Sequence, residues 1–310
     1  MKYLAQPDLA SLRKLLPDVV CEYELPSGSH VTLIQVTTFA CGGFTIGFGA
    51  IFFSLWSCDG TGLGLSQKDP GLLLACKHTV NRIVFNESAI ANLKEKASLD
   101  IVNPTRVEVV TSFLSKCFIS SFKNKTGIDK PLAICHSVNL RRKMGPLLPE
   151  CSFGNFISFV GTVLTAKDKE LSELVSELRE AMKKVDIDTL KKIKSGGEVG
   201  FLKYYDAMKE VRSLYTNPEF GSEATEFVGF TSSCNFGIYD IDFGWGKPIW
   251  AACLVPDADE SHVSFVFLMD RRVDKGIEAW VLMKEDEFDV LGKDTELLQY
   301  ASINPSPIYN

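Results

Sequence analysis

Residues 31–58 carry no charged side chain, and this run of 28 residues limits the folds that the chain can adopt. The run exceeds the roughly 20 apolar residues that cross a bilayer as a helix, so a membrane-spanning helix is one alternative. However, it contains four glycines and many β-branched and aromatic residues, a composition typical of strands. The favoured interpretation is two buried strands, 31–38 and 44–53, joined by a turn at Cys41-Gly42-Gly43.

The whole chain has the size and composition of a globular protein. Its 310 residues are 45% hydrophobic, which is enough for a large core and about two domains. A net charge of −6 without a basic patch argues against nucleic acid as a partner. Nine irregularly spaced cysteines without a Cys-x-x-Cys pair indicate reduced thiols rather than disulfides or a zinc site. We therefore expect a cytoplasmic protein with no metal, no membrane partner and no targeting signal.

Apolar periodicity predicts helices mixed with many strands. A capping-box spacing from Thr105 to Glu108 begins one helix, and an apolar face between Leu171 and Met182 marks a second. A last helix is expected at about 285–300. An irregular connection is predicted at 61–81, and strands at 82–85, 131–141, 155–164, 227–232, 249–254, 263–269 and 276–283. Because helices and strands do not strictly alternate, the expected class is α/β of the α+β, mixed-sheet type rather than a Rossmann fold.

The most specific motif in the chain is the heptapeptide Asp242-Phe243-Gly244-Trp245-Gly246-Lys247-Pro248. Its glycines permit tight turns, its aromatic residues are expected to bury surface, and its proline stiffens the exit. Five shorter motifs accompany it: Cys41-Gly42-Gly43, Asp59-Gly60, Val138-Asn139-Leu140-Arg141, Phe153-Gly154-Asn155 and Gly276-Ile277-Glu278-Ala279-Trp280. In this order the motifs resemble those of the plant BAHD acyl-CoA-dependent acyltransferases. The preceding Tyr239-Asp240-Ile241 resembles the vinorine synthase-like, alkaloid-acetylating branch of that family.

This resemblance covers nearly the whole chain and implies a fold. BAHD members are similar to chloramphenicol acetyltransferase, with two domains and a channel that acyl-CoA and the acceptor enter from opposite sides. The first domain would comprise residues 1–70 and about 241–262, and the second 82–240 and 263–310, with a shortened crossover at 71–81. The first domain would lack the N-terminal strands of the family, and unpaired strand edges favour aggregation. Family members are generally monomers, so a monomer is expected.

Acyl transfer from a thioester to an alcohol needs a general base and a donor that stabilises the tetrahedral oxyanion. In the BAHD family the base is the histidine of a His-x-x-x-Asp motif. Here Asp59 matches the aspartate, but Leu55 occupies the histidine position and has no lone pair. The sequence contains no His-x-x-x-Asp elsewhere. His136 or His78 is an alternative base only if it reaches the same place.

The residue at the position of the oxyanion donor is also different in this sequence. The resemblance implies an oxyanion donor at the tryptophan of a Thr-Ser-Trp motif, and this chain reads Thr231-Ser232-Ser233 instead. Ser233 can donate a hydrogen bond, but its side chain is several ångströms shorter than an indole. Thr231 and Ser233 are therefore candidate site residues, and we expect Ser233 to fall short of the reacting carbonyl.

The remaining family positions are expected to be structural. The resemblance implies that Asp59 points away from the substrate and pairs with Arg141. The alternative is that Arg141 belongs to a solvated basic run at 141–143. Residues 242–248 would hold a loop and the CoA side of the channel rather than take part in the reaction.

Three functions remain open at this point. The first is an acyl-CoA-dependent O-acyltransferase that moves an acetyl group from acetyl-CoA, as co-substrate, to an alcohol of plant specialised or alkaloid metabolism, without a permanent cofactor. The second is a catalytically defective relative, either a pseudoenzyme or a truncated gene product, because Leu55 replaces the base. The third is a two-domain binding protein unrelated to acyl transfer, which the ordered motifs disfavour.

Overall fold

A computed structural model describes residues 9–17, 32–50, 78–141, 157–165, 169–185, 225–253 and 264–307. Its helices are α1 (Leu9–Arg13), α2 (Glu87–Ala97), α3 (Arg106–Thr126), α4 (Leu171–Lys183), α5 (Glu285–Leu291) and α6 (Thr295–Tyr300). Its strands are β1 (Thr32–Thr38), β2 (Phe44–Ala50), β3 (His78–Phe85), β4 (Leu132–Asn139), β5 (Ile157–Leu164), β6 (Glu226–Ser232), β7 (Ser264–Asp270), β8 (Ile277–Lys284) and β9 (Ser302–Ile303). This mixture of helices and strands confirms the α/β class expected from the sequence.

Seven strands form one mixed sheet in the order β5-β4-β6-β7-β8-β3-β9. Strand β6 runs parallel to β4 and β7, and the other neighbouring strands are antiparallel. The inner strands are apolar because both of their faces are covered, and in β8 every residue except Lys284 is buried. Strand β8 is therefore protected on both faces, and the Thr231-Ser232-Ser233 motif lies at the end of β6.

Helices α2, α3 and α4 cover one face of this sheet and enclose the main core. Helix α3 begins as the sequence predicted, with a capping box in which Glu108 N–H donates to Thr105 Oγ1 (3.1 Å) and Thr105 N–H donates to the Glu108 carboxylate (2.7 Å). It ends at Gly127, whose φ of 73° is the left-handed conformation that closes many helices. Its inner face packs Phe113 and Phe118 against aromatic side chains of the sheet.

Strands β1 and β2 form a separate antiparallel hairpin in which Thr38 lies opposite Phe44. Gly42 in the turn has a φ of 83°, a conformation that glycine adopts without strain. The Gln35 amide anchors the hairpin by donating to the Lys14 carbonyl (2.8 Å). The first part of the uncharged run thus forms strands, as predicted. The expectation that they are buried is wrong, because Ile34, Val36 and Phe48 are 63%, 62% and 57% exposed. In the described parts of the chain, no helix has the length and apolar character needed to cross a bilayer.

Two predictions about strands are wrong. Strand β3 begins at His78, inside the stretch predicted to be irregular, because β8 offers it a full-length antiparallel partner. The strand predicted at 249–254 is absent over 249–253, the part that the structure describes. There the Ala251 N–H donates to the Tyr239 hydroxyl (3.1 Å) instead of joining a ladder. Residues of high strand propensity therefore remain irregular when no partner strand is available.

The last predicted helix, at about 285–300, is two helices. Helix α5 ends at Leu291, and Gly292 is its C-terminal capping residue. Asp294 then caps α6, because its carboxylate accepts a hydrogen bond from the Leu297 N–H (2.8 Å). An aspartate inside an apolar periodic segment can thus begin a new helix rather than continue the old one.

His136 is a buried histidine in β4, on the helix side of the sheet. Its ring stacks on Phe230, with 6.3 Å between centroids and 9° between planes. Its Nδ1 lies 2.9 Å from the Ser137 carbonyl, and its Nε2 has no hydrogen-bond partner among the described residues. Burial lowers the pKa of His136, and the bond to Ser137 only partly offsets that effect.

We expect His136→Phe to reduce the loss of stability in mild acid. A histidine whose pKa is lower when folded binds its proton more tightly in the unfolded chain, so the native protein should lose stability as the pH falls below about 6.5. The contribution of His136 is at most about 1.4 kcal/mol per pH unit. Phenylalanine keeps the stacking and removes the titration. Urea unfolding of both proteins at several pH values measures the difference, and identical acid slopes would contradict this assignment.

Candidate functional site

The turn after β6 contains the predicted Thr231-Ser232-Ser233 motif. Thr231 and Ser232 are the last residues of the strand, and the Ser233 N–H continues the sheet by donating to the Leu268 carbonyl of β7 (2.9 Å). The Ser233 hydroxyl lies 3.4 Å from the same carbonyl and donates to it. Ser233 is therefore tied to the backbone of β7 by both its amide and its hydroxyl.

The next three amides of this turn are also occupied. Cys234 N–H donates to the Ser232 hydroxyl (3.2 Å), and Asn235 N–H donates to the Asp270 carboxylate (2.6 Å). Phe236 N–H donates to the Ser233 carbonyl (3.2 Å). No backbone amide from 233 to 236 is left to stabilise an oxyanion, so a donor in this turn has to be a side chain.

Ser232 can still donate, because its hydroxyl only accepts from the Cys234 N–H, but strand alternation places it on the same face as Phe230. Thr231 carries the hydroxyl of the motif that can donate on the other face. It follows Phe230, which is buried in the helix-side core, so the Thr231 side chain lies on the opposite face of the sheet. Thr231 is half-buried, and its hydroxyl makes no hydrogen bond to another described residue. The neighbouring Cys234 is not a nucleophile near neutral pH, because burial raises the pKa of its thiol to about 11.

Residues 242–248 form a loop that Asp242 closes from its own side chain. Asp242 Oδ1 accepts hydrogen bonds from the N–H groups of Gly244 (2.8 Å) and Gly246 (3.0 Å). Both glycines have a positive φ, 98° and 111°, which side chains rarely adopt. The two backbone donors hold the pKa of Asp242 below its usual value. The tight turns expected of the two glycines are therefore present.

The aromatic residues of this loop, however, are not buried. Phe243 and Trp245 are 62% and 63% exposed, so the expectation that they bury surface is wrong. The Trp245 ring meets the hairpin through Phe44, edge to face, with centroids 5.5 Å apart. This contact joins the loop to β2, whose sequence leads on to Leu55 and Asp59.

We expect Asp242→Ala to loosen the loop and Asp242→Asn to retain most of its order. Alanine removes the acceptor for both glycine amides, whereas asparagine keeps one side-chain oxygen in the same place. Hydrogen exchange at Gly244 and Gly246 should therefore accelerate in the alanine variant and change much less in the asparagine variant. Equal exchange in all three proteins would contradict the role given to this carboxylate.

Comparison with known proteins decides the family. The model of the Transferase family matches residues 74–298, well over half of the chain. Epi-neemfruitin B 7-O-acetyltransferase of Melia azedarach is 37% identical over an alignment that is 346 positions long. The alignment covers 99% of this chain and 75% of that protein. The chain is a BAHD acyltransferase family member.

Two further similarities support the same assignment. Limonoid 7-O-acetyltransferase of Citrus sinensis is 36% identical, with 91% of this chain and 69% of that protein covered. The crystal structure of vinorine synthase superposes with a TM-score of 0.69 at 23% identity, covering 99% of this chain and 75% of that one. This superposition shows that the chain has the BAHD fold. F. graminearum TRI101, crystallised with coenzyme A and deoxynivalenol, shares the fold at a TM-score of 0.56 over 75% of this chain, with 18% identity.

The BAHD base and aspartate positions, Leu55 and Asp59, lie outside the described residues, so their roles stay predictions. The same holds for the Asp59–Arg141 pair. Arg141 itself is half-buried at the end of β4, where its N–H donates to the Asn139 side chain (3.0 Å). Among the residues that the structure describes, no group of three or more His, Cys, Asp or Glu side chains is arranged to hold a metal ion.

Sequence reasoning missed a buried ion pair between Arg82 of β3 and Glu278 of β8. The Arg82 guanidinium lies 3.1 Å from Glu278, with the two side chains 5% and 9% exposed. Arg82 also donates to the Pro305 carbonyl and lies over the Trp250 ring, 5.6 Å from its centroid. The available signal was one charge of each sign in the predicted strands 82–85 and 276–283, but the separation of Arg82 and Glu278 in sequence hid the pairing. The pair fixes the segment that follows the heptapeptide loop.

Proposed function

We propose that this chain binds acetyl-CoA and transfers its acetyl group to a hydroxyl of a polycyclic plant metabolite of the limonoid or alkaloid type. The observation that carries the proposal is the 37% identity, over 99% of the chain, to a protein named as a 7-O-acetyltransferase. Relatives named for alkaloid chemistry, such as vinorine synthase of Rauvolfia serpentina at 29% identity, support the wider acceptor class. We further propose that the chain acts as a cytoplasmic monomer, with acyl-CoA as its co-substrate.

The reaction requires the acceptor oxygen to attack the thioester carbonyl while its proton leaves. The C–S bond then breaks, and the CoA thiolate departs and takes up a proton. In the described site the Thr231 hydroxyl is the group proposed to stabilise the oxyanion, because the amides from 233 to 236 are all engaged. Removing that hydroxyl with Thr231→Val, which keeps the side-chain shape, should therefore lower kcat more than it raises KM.

A general base is the part that this sequence does not supply at the family position. Leu55 cannot accept a proton, and the buried His136 is enclosed between the sheet and its helices. We propose that turnover by the native chain is slow for this reason. Loss of a positioned base typically costs about 10²- to 10⁴-fold in rate.

A second candidate function is supported by Leu55 alone. In this candidate the chain is a BAHD scaffold that binds CoA or an acceptor without turnover. Like the first candidate, this protein would bind CoA or the acceptor, but it would form no acetate ester.

One experiment separates the two candidates. The native chain is incubated with [14C]acetyl-CoA and a limonoid 7-alcohol, and the acetate ester is measured by chromatography. Ester formation above a Thr231→Val control supports the transferase. CoA binding without ester supports the second candidate. If the chain binds neither CoA nor the limonoid alcohol and forms no ester, both candidates are wrong.

A further inference from the structure

Strand β7 places an aromatic side chain directly beside the Thr231 hydroxyl. Thr231 of β6 is paired with Phe267 of β7, so the two side chains lie on the same face of the sheet. Neighbouring strands are only about 4.8 Å apart, which makes paired side chains on one face adjacent. A ligand that accepts a hydrogen bond from Thr231 is therefore next to the Phe267 ring as well.

A second phenylalanine of β7, Phe265, supports the Phe267 ring from one side. Phe265 is paired with Gly229 of β6, and its ring lies over that glycine. A Cβ added at Gly229 would be 2.5 Å from the ring carbons Cδ2 and Cε2, so glycine at this position makes room for the ring. The Phe265 and Phe267 rings contact each other, with 4.7 Å between centroids and 42° between planes.

The Phe267 ring has little freedom to move away from Thr231. It packs against a buried cluster of Leu12, Met269 and Trp280 on the same face of the sheet. Trp280 is the partner of Phe267 in β8, and it is only 4% exposed. Moving a side chain in such packing forces its neighbours out of their preferred rotamers. Phe267 is itself half-buried, so it presents a fixed apolar wall with an accessible surface beside Thr231.

The part of the substrate that lies nearest this wall follows from the chemistry of acyl transfer. The oxyanion that Thr231 would stabilise is bonded to the acyl carbon. The acyl chain begins two bonds from that oxygen, whereas the carbon skeleton of the acceptor begins three bonds away. The acyl chain is thus the carbon group closest to the Thr231 hydroxyl and to its neighbour Phe267.

We propose that Phe267, supported by Phe265, determines acyl-donor specificity by limiting the acyl group to the size of acetyl. This inference rests on the proposed function, in which the Thr231 hydroxyl contacts the acyl oxygen. A single methyl group fits beside the ring, but a longer acyl chain would have to displace it. One methylene in an apolar pocket changes specificity by about 10- to 200-fold, so a fixed wall is enough to exclude longer acyl groups.

Binding measurements test this limit without requiring turnover. Isothermal titration of the full chain should show that hexanoyl-CoA binds at least about tenfold more weakly than acetyl-CoA. In Phe267→Ala the hexanoyl group can fill the space that the ring leaves, so hexanoyl-CoA should bind at least as tightly as acetyl-CoA. Phe159→Ala is the matched control and should keep the native ratio of affinities. Phe159 is a half-buried phenylalanine on the same sheet face, two strands away from Thr231.

Turnover gives a second measurement, made in the full chain carrying Leu55→His. Adding Phe267→Ala should raise the kcat/KM for hexanoyl-CoA relative to acetyl-CoA by about tenfold or more, whereas Phe159→Ala should not. Phe267→Leu keeps more of the packing volume and should change the ratio in the same direction by a smaller factor. Circular dichroism establishes which variants are folded, and Phe267→Leu serves as the test if Phe267→Ala is not.

Equal affinities of the native chain for hexanoyl-CoA and acetyl-CoA would overturn the proposal. An unchanged affinity ratio in a folded Phe267 variant would overturn it too. A higher KM for the alcohol with an unchanged acyl-CoA ratio would show that Phe267 contacts the acceptor instead, which also contradicts it. If acyl-CoA binds but Leu55→His acetylates no alcohol, the proposed function fails separately, and the affinity ratio still decides the role of Phe267. If no acyl-CoA binds, both proposals fail.

Discussion

Replacing Leu55 by histidine should raise kcat/KM for acetyl transfer by about 10²- to 10⁴-fold over the native chain. The histidine would stand four residues before Asp59, the spacing that the BAHD family uses for its base. An imidazole can take the hydroxyl proton as the acceptor attacks, which leucine cannot do. The gain corresponds to roughly 3 to 5.5 kcal/mol of transition-state stabilisation, at about 1.36 kcal/mol per tenfold change in rate.

The matched control for this substitution is Leu55→Asn, which adds a polar side chain without a base. Asparagine should leave the rate close to that of the native chain. The pH profile gives a second check: kcat/KM of Leu55→His should rise with pH through about 6.5, because only neutral imidazole accepts a proton. If kcat/KM of Leu55→His is no higher than that of the native chain, another replaced residue limits the rate. Ser233 at the tryptophan position is the leading candidate.

Arg82→Ala should destabilise the protein by about 3 to 5 kcal/mol, the usual result of leaving one partner of a buried ion pair alone. Glu278 would be left buried without the guanidinium with which it pairs. The variant also loses the hydrogen bond to the Pro305 carbonyl and the contact with the Trp250 ring. Chemical unfolding at neutral pH measures this change.

Two controls separate the lost pairing from lost packing. Burial raises the pKa of Glu278 even with Arg82 beside it, so the pair costs energy to bury. The double variant Arg82→Met/Glu278→Leu should therefore be close to native in stability. Without Arg82 the carboxyl pKa rises further, so the deficit of Arg82→Ala should shrink as the pH falls and Glu278 takes up a proton. A deficit that stays constant with pH, or a double variant as unstable as the single one, would contradict this explanation.

Local features of the fold could be predicted from the sequence. The capping box at Thr105 needs only neighbouring residues, and so does the glycine turn at Cys41-Gly42-Gly43, and both are present. The prediction of a strand at 249–254 was wrong over 249–253, the part that the structure describes. A strand depends on a partner strand that the sequence does not reveal. The prediction of one long last helix was wrong because Asp294 caps a new helix. The apolar periodicity alone favours one helix that continues through this position.

The site was predictable to a similar extent. The heptapeptide 242–248 identified the family, and its glycine geometry followed from residue type. The exposure of Trp245 did not, because it depends on what the rest of the chain places beside the loop. The Arg106–Asn235 and Arg82–Glu278 contacts join residues that are 129 and 196 positions apart in sequence, and no local pattern predicts such contacts.

Binding of CoA to the native chain tests the central claim most directly, because it does not depend on a base at position 55. Isothermal titration of the full chain with CoA should give saturable binding at one site. Adding Leu55→His should change the affinity little, because the base acts on the acceptor. A native chain that is folded by circular dichroism and yet shows no saturable heat with CoA would contradict the account of this protein as an acyl-CoA-dependent scaffold.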